Sequence, residues 1–258
     1  MSHRSTAATR ILLLAALSAA AYFARHLPDQ HQSAPQTAQS SPSRESPNDW
    51  KLTILENKGY SVGYSEILKN PVWVKYSLDW SQKNPEPMTR PKTPFIPDPR
   101  TKSRVKTDDF TRSGFSRGHM APSFAIGAFH GRDAQLETFQ LSNIVPQNQT
   151  CNDGVWNSIE RMEADDFTKR FGQVDVTDGP VFEKQPPDRL PAGIAIPTGF
   201  YKVIKRPDGQ AIAFLVPQNP PSPKPEAYLA SPNEIQAITG IDFGLSPQET
   251  ARKRTKIW

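Results

Sequence analysis

Apolar and polar residues alternate in several short runs after residue 50, and these runs predict β-strands. Five runs rich in β-branched and aromatic residues are strand candidates, at residues 72–80, 139–144, 174–177, 200–204 and 211–216. The last two flank Pro207-Asp208-Gly209, whose residue types are typical of a tight turn. They therefore predict an antiparallel hairpin.

Two segments carry helical patterns. The longer one spans about residues 152–171, and the shorter one covers residues 233–239, between Ser231-Pro232 and Gly240, which are helix start and stop signals. Apolar residues recur with helical spacing in the longer segment, at Val155, Ile159, Met162 and Phe167. Together with the strands, these helices predict one α+β domain over residues 50–258.

The N-terminal 24 residues have the pattern of a targeting segment. Arg4 and Arg10 precede residues 11–24, which carry no charge. As a helix these 14 residues would reach about 21 Å, less than the ~30 Å hydrocarbon core of a membrane. The pattern predicts a secretory signal peptide and a periplasmic or secreted protein. The alternative is an uncleaved inner-membrane anchor over residues 11–27.

Residues 25–49 are rich in Pro, Ser and Gln and contain no aromatic residue. Such a composition cannot bury enough apolar surface to offset the entropy lost on ordering, so it predicts a disordered linker. The rest of the chain holds enough Trp, Tyr and Phe to pack a core. The single Cys among 258 residues excludes an intramolecular disulfide framework, a cysteine-type zinc site and an iron–sulfur cluster.

The chain is basic, with a net charge of +5, and residues 90–119 contain eight basic and three acidic side chains. A basic stretch of this kind is typical of a solvated surface segment or of a rim that contacts phosphates. Charge alone does not distinguish the two.

Three short segments contain residues suited to phosphodiester chemistry. They are Ser116-Arg117-Gly118-His119, then Asn143 followed by Pro146-Gln147, then Asn152, Trp156 and Glu160 at four-residue intervals. Each residue has an ordinary structural explanation on its own, since Asn152 could simply cap a helix. Their occurrence together and in this order is far more specific.

The ordered set resembles the DNA/RNA non-specific endonuclease family of His-Me finger (ββα-metal) nucleases, over about residues 52–243. The resemblance implies a ββα-metal core with a mostly antiparallel sheet flanked by helices. It also implies Mg²⁺-dependent hydrolysis of DNA and RNA with little sequence specificity, giving 5′-phosphate and 3′-hydroxyl ends, with Mn²⁺ as an alternative ion. Whether the chain forms a homodimer or binds an inhibitor or immunity protein stays open.

In this interpretation His119 is the general base, because a neutral imidazole can remove a proton from water. We expect its other ring nitrogen to donate to a backbone carbonyl, which fixes the tautomer. The resemblance makes Asn152 the direct metal ligand. Glu160 lies eight residues further along the helix, about 12 Å along its axis, so we expect it to hold a water of the ion.

Phosphate binding is assigned to arginines. Arg117 offers a planar fork that matches two phosphate oxygens. Arg90 fits the second arginine of the family best, while Arg100 and Arg104 stay as alternatives. Asn143 is expected to orient the site through hydrogen bonds.

The sequence departs from the family pattern at two positions, Ser116 in place of an aspartate and Ala164 in place of an arginine. These departures support a second hypothesis, a catalytically weak nucleic-acid-binding protein of the same fold. A third is a hydrolase that uses Cys151 and His119, although no protease signature surrounds Cys151.

Overall fold

The computed structural model describes residues 51–86, 88–183 and 186–258. Seven strands form one sheet, in which they lie side by side in their order along the chain, and every neighbouring pair is antiparallel. The predicted α+β class is confirmed. The predicted leader, residues 1–24, and linker, residues 25–49, lie outside the described residues.

The strands of the large sheet follow the chain in two groups separated by the central helices. They are β1 (Leu52–Asn57), β2 (Tyr60–Ser65), β3 (Asn70–Asp79), β6 (Gln173–Val181), β7 (Gly199–Lys205), β8 (Ala211–Pro217) and β9 (Leu229–Ala230). The hairpin predicted around Pro207-Asp208-Gly209 is confirmed, because β7 and β8 pair from Gly199 with Pro217 to Lys205 with Ala211. A second, two-stranded sheet contains β4 (Ser116–His119) and β5 (Ile144–Gln147).

Helices cover both faces of the large sheet. The long helix is a run of four segments with a non-helical residue at Gly154: Cys151–Trp156 (π), Asn157–Arg161 (α), Met162–Phe167 (π) and Thr168–Phe171 (α). The other α-helices are Ser123–His130, Arg132–Glu137, Pro232–Thr239 and Pro247–Thr250. Short 3-10 helices lie at Trp80–Gln82, Thr107–Phe110, Leu141–Asn143 and Pro225–Tyr228.

Strand β7 shows how the sequence divides the core. Phe200 and Ile204 belong to the cluster that includes Trp156 and Ile159 of the long helix, and the Trp156 and Phe200 ring centroids are 5.7 Å apart. Tyr201 and Val203 instead join the cluster against helix Pro232–Thr239. Because successive side chains of a strand point to opposite faces, this alternation places one helix on each side of the sheet.

The shorter predicted helix is confirmed with the expected termini. Ser231 accepts a hydrogen bond from the Glu234 amide, and the Glu234 carboxylate accepts one from the Ser231 amide, which forms a capping box. Gly240 ends the helix with φ 69°, a left-handed conformation that glycine adopts without steric cost.

The strand predicted at residues 139–144 is wrong over most of its length. Leu141–Asn143 is a 3-10 helix, and β5 begins only at Ile144. Phe139 and Leu141 are buried through this tight turn. Apolar residues two positions apart therefore mimicked an extended strand.

A buried ion-pair network joins the long helix to the sheet. The ammonium of Lys202 in β7 lies 2.7 Å from Asp178 Oδ2 in β6 and 3.2 Å from Glu163 Oε2 in the long helix. It also donates to the Tyr76 hydroxyl in β3 at 2.8 Å, and that hydroxyl donates to Glu163 Oε1 at 2.6 Å. Lys202, Asp178 and Glu163 are fully buried. Burial raises the pKa of Glu163 and of Asp178, and Lys202 opposes both shifts.

We expect Lys202→Met to lower the free energy of unfolding by about 3–5 kcal/mol, because it leaves two buried carboxyl groups without their cation. Urea denaturation measures this loss. The matched control is Lys205→Met on the same strand, where the ammonium is half-exposed and 3.6 Å from Asp175, and we expect a loss below about 1 kcal/mol. Equal losses for the two variants would contradict a special role for the buried network.

Candidate active site

Strands β4 and β5 bring two of the three sequence segments together. Arg117 pairs with Pro146 and His119 pairs with Ile144. Between them, a Cβ atom on Gly118 would lie 2.1 Å from Gln147 Oε1. Glycine is therefore required at this position because the Gln147 side chain occupies the space.

Asn143 forms hydrogen bonds that hold the backbone just after His119. Its Oδ1 accepts from the Ala121 amide at 2.9 Å, and its Nδ2 donates to the carbonyls of Ala121 and Thr138 at 3.1 and 3.0 Å. Its backbone carbonyl accepts from the Met120 amide at 3.1 Å. Because its side chain is fully buried and bonded to backbone, Asn143 positions this segment and has no free donor for a substrate.

Aromatic rings hold the His119 imidazole. The ring centroid of Phe95 lies 5.4 Å away, and Phe139 meets the imidazole edge-on at 5.2 Å. The expected bond to a backbone carbonyl is wrong, because neither ring nitrogen of His119 has a hydrogen-bond partner among the described residues. The Nε2 atom is buried without a partner.

The surroundings of His119 keep the ring neutral. Burial, followed by the positive charge of Arg90, lowers its pKa from 6.5 to about 3. A neutral imidazole at physiological pH has a free lone pair and can act as a base.

Two of the four candidate arginines lie beside this aromatic cluster. The Arg90 guanidinium stacks 5.3 Å from the Phe139 ring. The Arg117 guanidinium lies 5.9 Å from Phe95 and 5.7 Å from Phe110, and its Nη2 donates to the Thr107 carbonyl at 2.7 Å. The Nε atom of Arg117 is buried without a hydrogen-bond partner. Positive charge is thus held close to His119.

Arg100 is a structural residue, and the expectation that it binds phosphate is not supported. It forms an ion pair with the buried Asp98 at 2.7 Å, and its remaining donors bond to the Glu56 carbonyl, Asn57 and Gln140. The exposed Arg104 has a φ of 46° and makes no contact with His119, Arg90 or Arg117 in the described ranges.

The long helix begins against the same strands. Gln147, which packs on Gly118, also donates to Cys151 Sγ at 3.6 Å. The next residue, Asn152, donates through Nδ2 to Asp153 Oδ1 at 2.7 Å. This bond leaves the Asn152 amide oxygen without a partner in the described chain.

The oxygen atoms near this turn suit a hard cation. The Gln147 Oε1 atom is buried without a partner, and Asn152 offers its free amide oxygen. Mg²⁺ prefers oxygen ligands and keeps most of its waters, so one amide ligand with hydrated contacts fits it.

Glu160 lies further along the long helix and is buried, with 8 % of its surface exposed. Burial raises its pKa well above the usual range, Lys202 opposes the shift, and Glu163 and Asp178 add to it. Burial is the main cause that raises the Cys151 pKa, and Glu160 adds to it.

The cysteine hypothesis receives no support from the structure. Burial raises the pKa of Cys151 to about 12, so the thiolate needed for attack is scarce at neutral pH. Its side chain contacts Gln147 rather than His119.

The two departures from the family pattern have different surroundings. Ser116 is the first residue of β4, where it pairs with Gln147 and precedes Arg117. Ala164 is buried in the core. The nearby Arg161 stacks 4.2 Å from the Phe124 ring, so it does not stand in for the missing arginine of the family.

Comparisons with known proteins agree with the motifs. The profile described as DNA/RNA non-specific endonuclease matches residues 40–250. The chain is 33% identical to the mitochondrial nuclease EXOG of Xenopus laevis over 267 residues, covering 90% of this chain and 71% of the relative. It is 30% identical to human EXOG over 216 residues, covering 74% and 58%. The zebrafish EXOG match covers only half of that relative.

A solved structure shares the fold. The crystal structure of the EndoG/EndoGI complex superposes with a TM-score of 0.65 and 25% identity, covering 78% of this chain and 91% of the other. Together with the sheet order, this likeness confirms the expected ββα-metal architecture.

The expected periplasmic or secreted location is contradicted. Relatives from zebrafish, frog, human and two yeasts are named mitochondrial nucleases. The predicted anchor at residues 11–27 lies outside the described residues, and within residues 51–86, 88–183 and 186–258 no helix is long and apolar enough to cross a membrane. Residues 1–24 are basic and contain no acid, a composition that does not by itself distinguish a secretory signal from other targeting segments.

The lowered pKa of His119 predicts a pH-dependent stability. Between pH 6.5 and about 3 the unfolded chain binds a proton on this ring that the folded chain does not, so stability falls as the pH is lowered through this window. We expect the free energy of unfolding to drop by about 2 kcal/mol more in wild type than in His119→Gln between pH 7.5 and pH 5. Urea denaturation in the presence of EDTA measures the free energy of unfolding at each pH. If it changes with pH by the same amount in wild type and in His119→Gln, the burial of a neutral ring is contradicted.

Proposed function

Since this chain belongs to the DNA/RNA non-specific endonuclease family, we propose that it hydrolyses phosphodiester bonds of DNA and RNA, with Mg²⁺ as its metal ion and little sequence specificity. The observation that carries the proposal is the neutral His119 ring, with an unpartnered nitrogen, held beside Arg90 and Arg117.

The two arginines answer the first difficulty of the reaction. A phosphodiester is anionic and repels a nucleophile, so the site must neutralise its charge. Arg117 has a buried Nε without a partner, and its fork can meet two phosphate oxygens. Arg90 adds a second positive charge on the other aromatic neighbour of His119.

His119 then supplies the nucleophile. As a neutral base it removes a proton from water, and the oxygen of that water attacks phosphorus. The bond between phosphorus and the 3′ oxygen breaks and the 3′ oxygen takes up a proton from solvent, which gives a 5′-phosphate and a 3′-hydroxyl end. Because external water attacks, the 2′-hydroxyl has no part in the reaction, and both DNA and RNA serve as substrates.

Asn152 is the residue that would hold the metal ion through its free amide oxygen, and Glu160 would accept a hydrogen bond from a water of that ion. When bound, Mg²⁺ supplies positive charge to the phosphate and to the departing 3′ oxygen. Mn²⁺ has the same preference for oxygen ligands and is the alternative ion. A homodimer or an inhibitor protein, as in the EndoG/EndoGI complex, is a further proposal for this chain.

We expect His119→Ala to lower kcat for plasmid cleavage by at least ~10²-fold, the scale for loss of a general base, while binding stays intact. Plasmid nicking with Mg²⁺ measures the rate, and oligonucleotide anisotropy with EDTA measures binding. The control is His130→Ala, whose exposed ring contacts the Ser77 carbonyl. Undiminished nicking by His119→Ala would refute its role, and bound but uncleaved DNA with wild type would favour the weak-binder alternative.

We expect Asn152→Ala to raise the Mg²⁺ concentration for half-maximal activity by at least ~10-fold, since it removes the direct ligand. A Mg²⁺ titration of the initial rate measures this shift. Asn233→Ala, an exposed position on helix Pro232–Thr239, is the control and should leave the titration unchanged. An unaltered Mg²⁺ requirement in Asn152→Ala would place the ion elsewhere.

A further inference from the structure

A cleft of about 450 Å³ opens beside the proposed active site. Two arginines, two phenylalanines and a polar side chain contribute to its lining: Arg112, Arg117, Phe110, Phe115 and Gln149. Its volume lies within the roughly 300–1,000 Å³ typical of small-ligand pockets. The combination of cations with aromatic rings suits a nucleotide better than an apolar ligand.

Arg117 connects this cleft to His119, the proposed general base. Its guanidinium lies 5.7 Å from Phe110, which lines the cleft, and 5.9 Å from Phe95. Phe95 in turn contacts His119 at 5.4 Å. Arg117 therefore lines the cleft, and one aromatic ring, Phe95, lies between it and His119.

Arg112 shares two features with Arg104 but, unlike Arg104, lines the cleft. Its φ is 57°, in the left-handed region that favours glycine. Its side chain is exposed and makes no hydrogen bond, ion pair or ring contact within the part of the chain that the structure describes. No intramolecular contact thus offsets the strained backbone, and non-glycine residues in this conformation concentrate at ligand-binding sites.

On the basis of the proposed nuclease function, we propose that this cleft binds the nucleotide next to the scissile phosphate, and that Arg112 binds the phosphate beyond that nucleotide. The half-exposed Phe115 offers a ring on which a base of any identity can stack. In the sequence, Arg112 is one of eight basic residues in the basic stretch, and no motif distinguishes it from the others.

The test compares single-stranded substrates of two lengths. A dinucleotide has only the scissile phosphate, whereas an octanucleotide also has the neighbouring one. We expect Arg112→Ala to raise KM for the octanucleotide by about tenfold, with kcat within twofold, and to leave the dinucleotide KM unchanged. Lys256→Ala is the charge control, because Lys256 is exposed and is not among the residues that line the cleft.

A second measurement needs no catalysis. In EDTA, the logarithm of octanucleotide affinity is plotted against the logarithm of salt concentration. We expect the slope of this plot to be smaller in magnitude by about 0.7 in Arg112→Ala, the value for one phosphate contact on a single strand. An unchanged slope overturns the assignment. If the wild-type protein binds the octanucleotide but does not cleave it, the proposed hydrolysis is wrong. The slope then still shows whether Arg112 binds a phosphate in the cleft.

The Arg112→Gly variant distinguishes a loss of binding from a loss of stability. We expect Arg112→Gly to have a Tm no lower than wild type, because glycine relieves the left-handed strain, and to show the same loss of octanucleotide affinity as Arg112→Ala. A lowered Tm would show that Arg112 supports the fold, and would overturn the proposal.

Discussion

The buried ammonium of Lys202 is the interaction on which the placement of the site depends. It joins β3, β6, β7 and the long helix through Tyr76, Asp178 and Glu163. A buried charge keeps its free energy low only while its partners stay in place. The network therefore fixes both the rotation of the helix about its axis and its position on the sheet. That helix carries both the amide proposed to hold the ion and the buried Glu160, and its first turn meets β5 through Gln147 and Cys151.

The second sheet has a different role, which is to position His119, the proposed general base. Asn143 ties the backbone after His119 by side-chain bonds to Ala121 and Thr138, while two phenylalanines hold the ring itself. Packing replaces the hydrogen bond that usually orients a histidine. The ring keeps both nitrogens free of protein partners, and its position depends on the loop that carries Phe95.

Local signals explain which parts of the fold were predictable. The β7–β8 hairpin and the helix before Gly240 are encoded by turn and capping residues close in sequence. Helix Ser123–His130 is apolar on nearly every side and buried, so it shows no amphipathic period. The order of motifs pointed to His119, Arg117 and Asn143, which the structure brings together around strands β4 and β5. The sequence favoured Arg90 but kept Arg100 as an alternative, because two of the partners that occupy Arg100, Asn57 and Gln140, lie far along the chain. The phenylalanines around the ring were missed for the same reason.

The only cysteine stands next to the amide proposed to hold the ion, yet it is sealed inside the core with its pKa raised to about 12. Oxidants and alkylating agents react with the thiolate, and hardly any forms at neutral pH. Burial and the scarcity of the thiolate therefore make this cysteine a poor target for glutathione, peroxide and disulfide exchange. A nuclease built this way keeps the same active site in a reducing or an oxidising compartment.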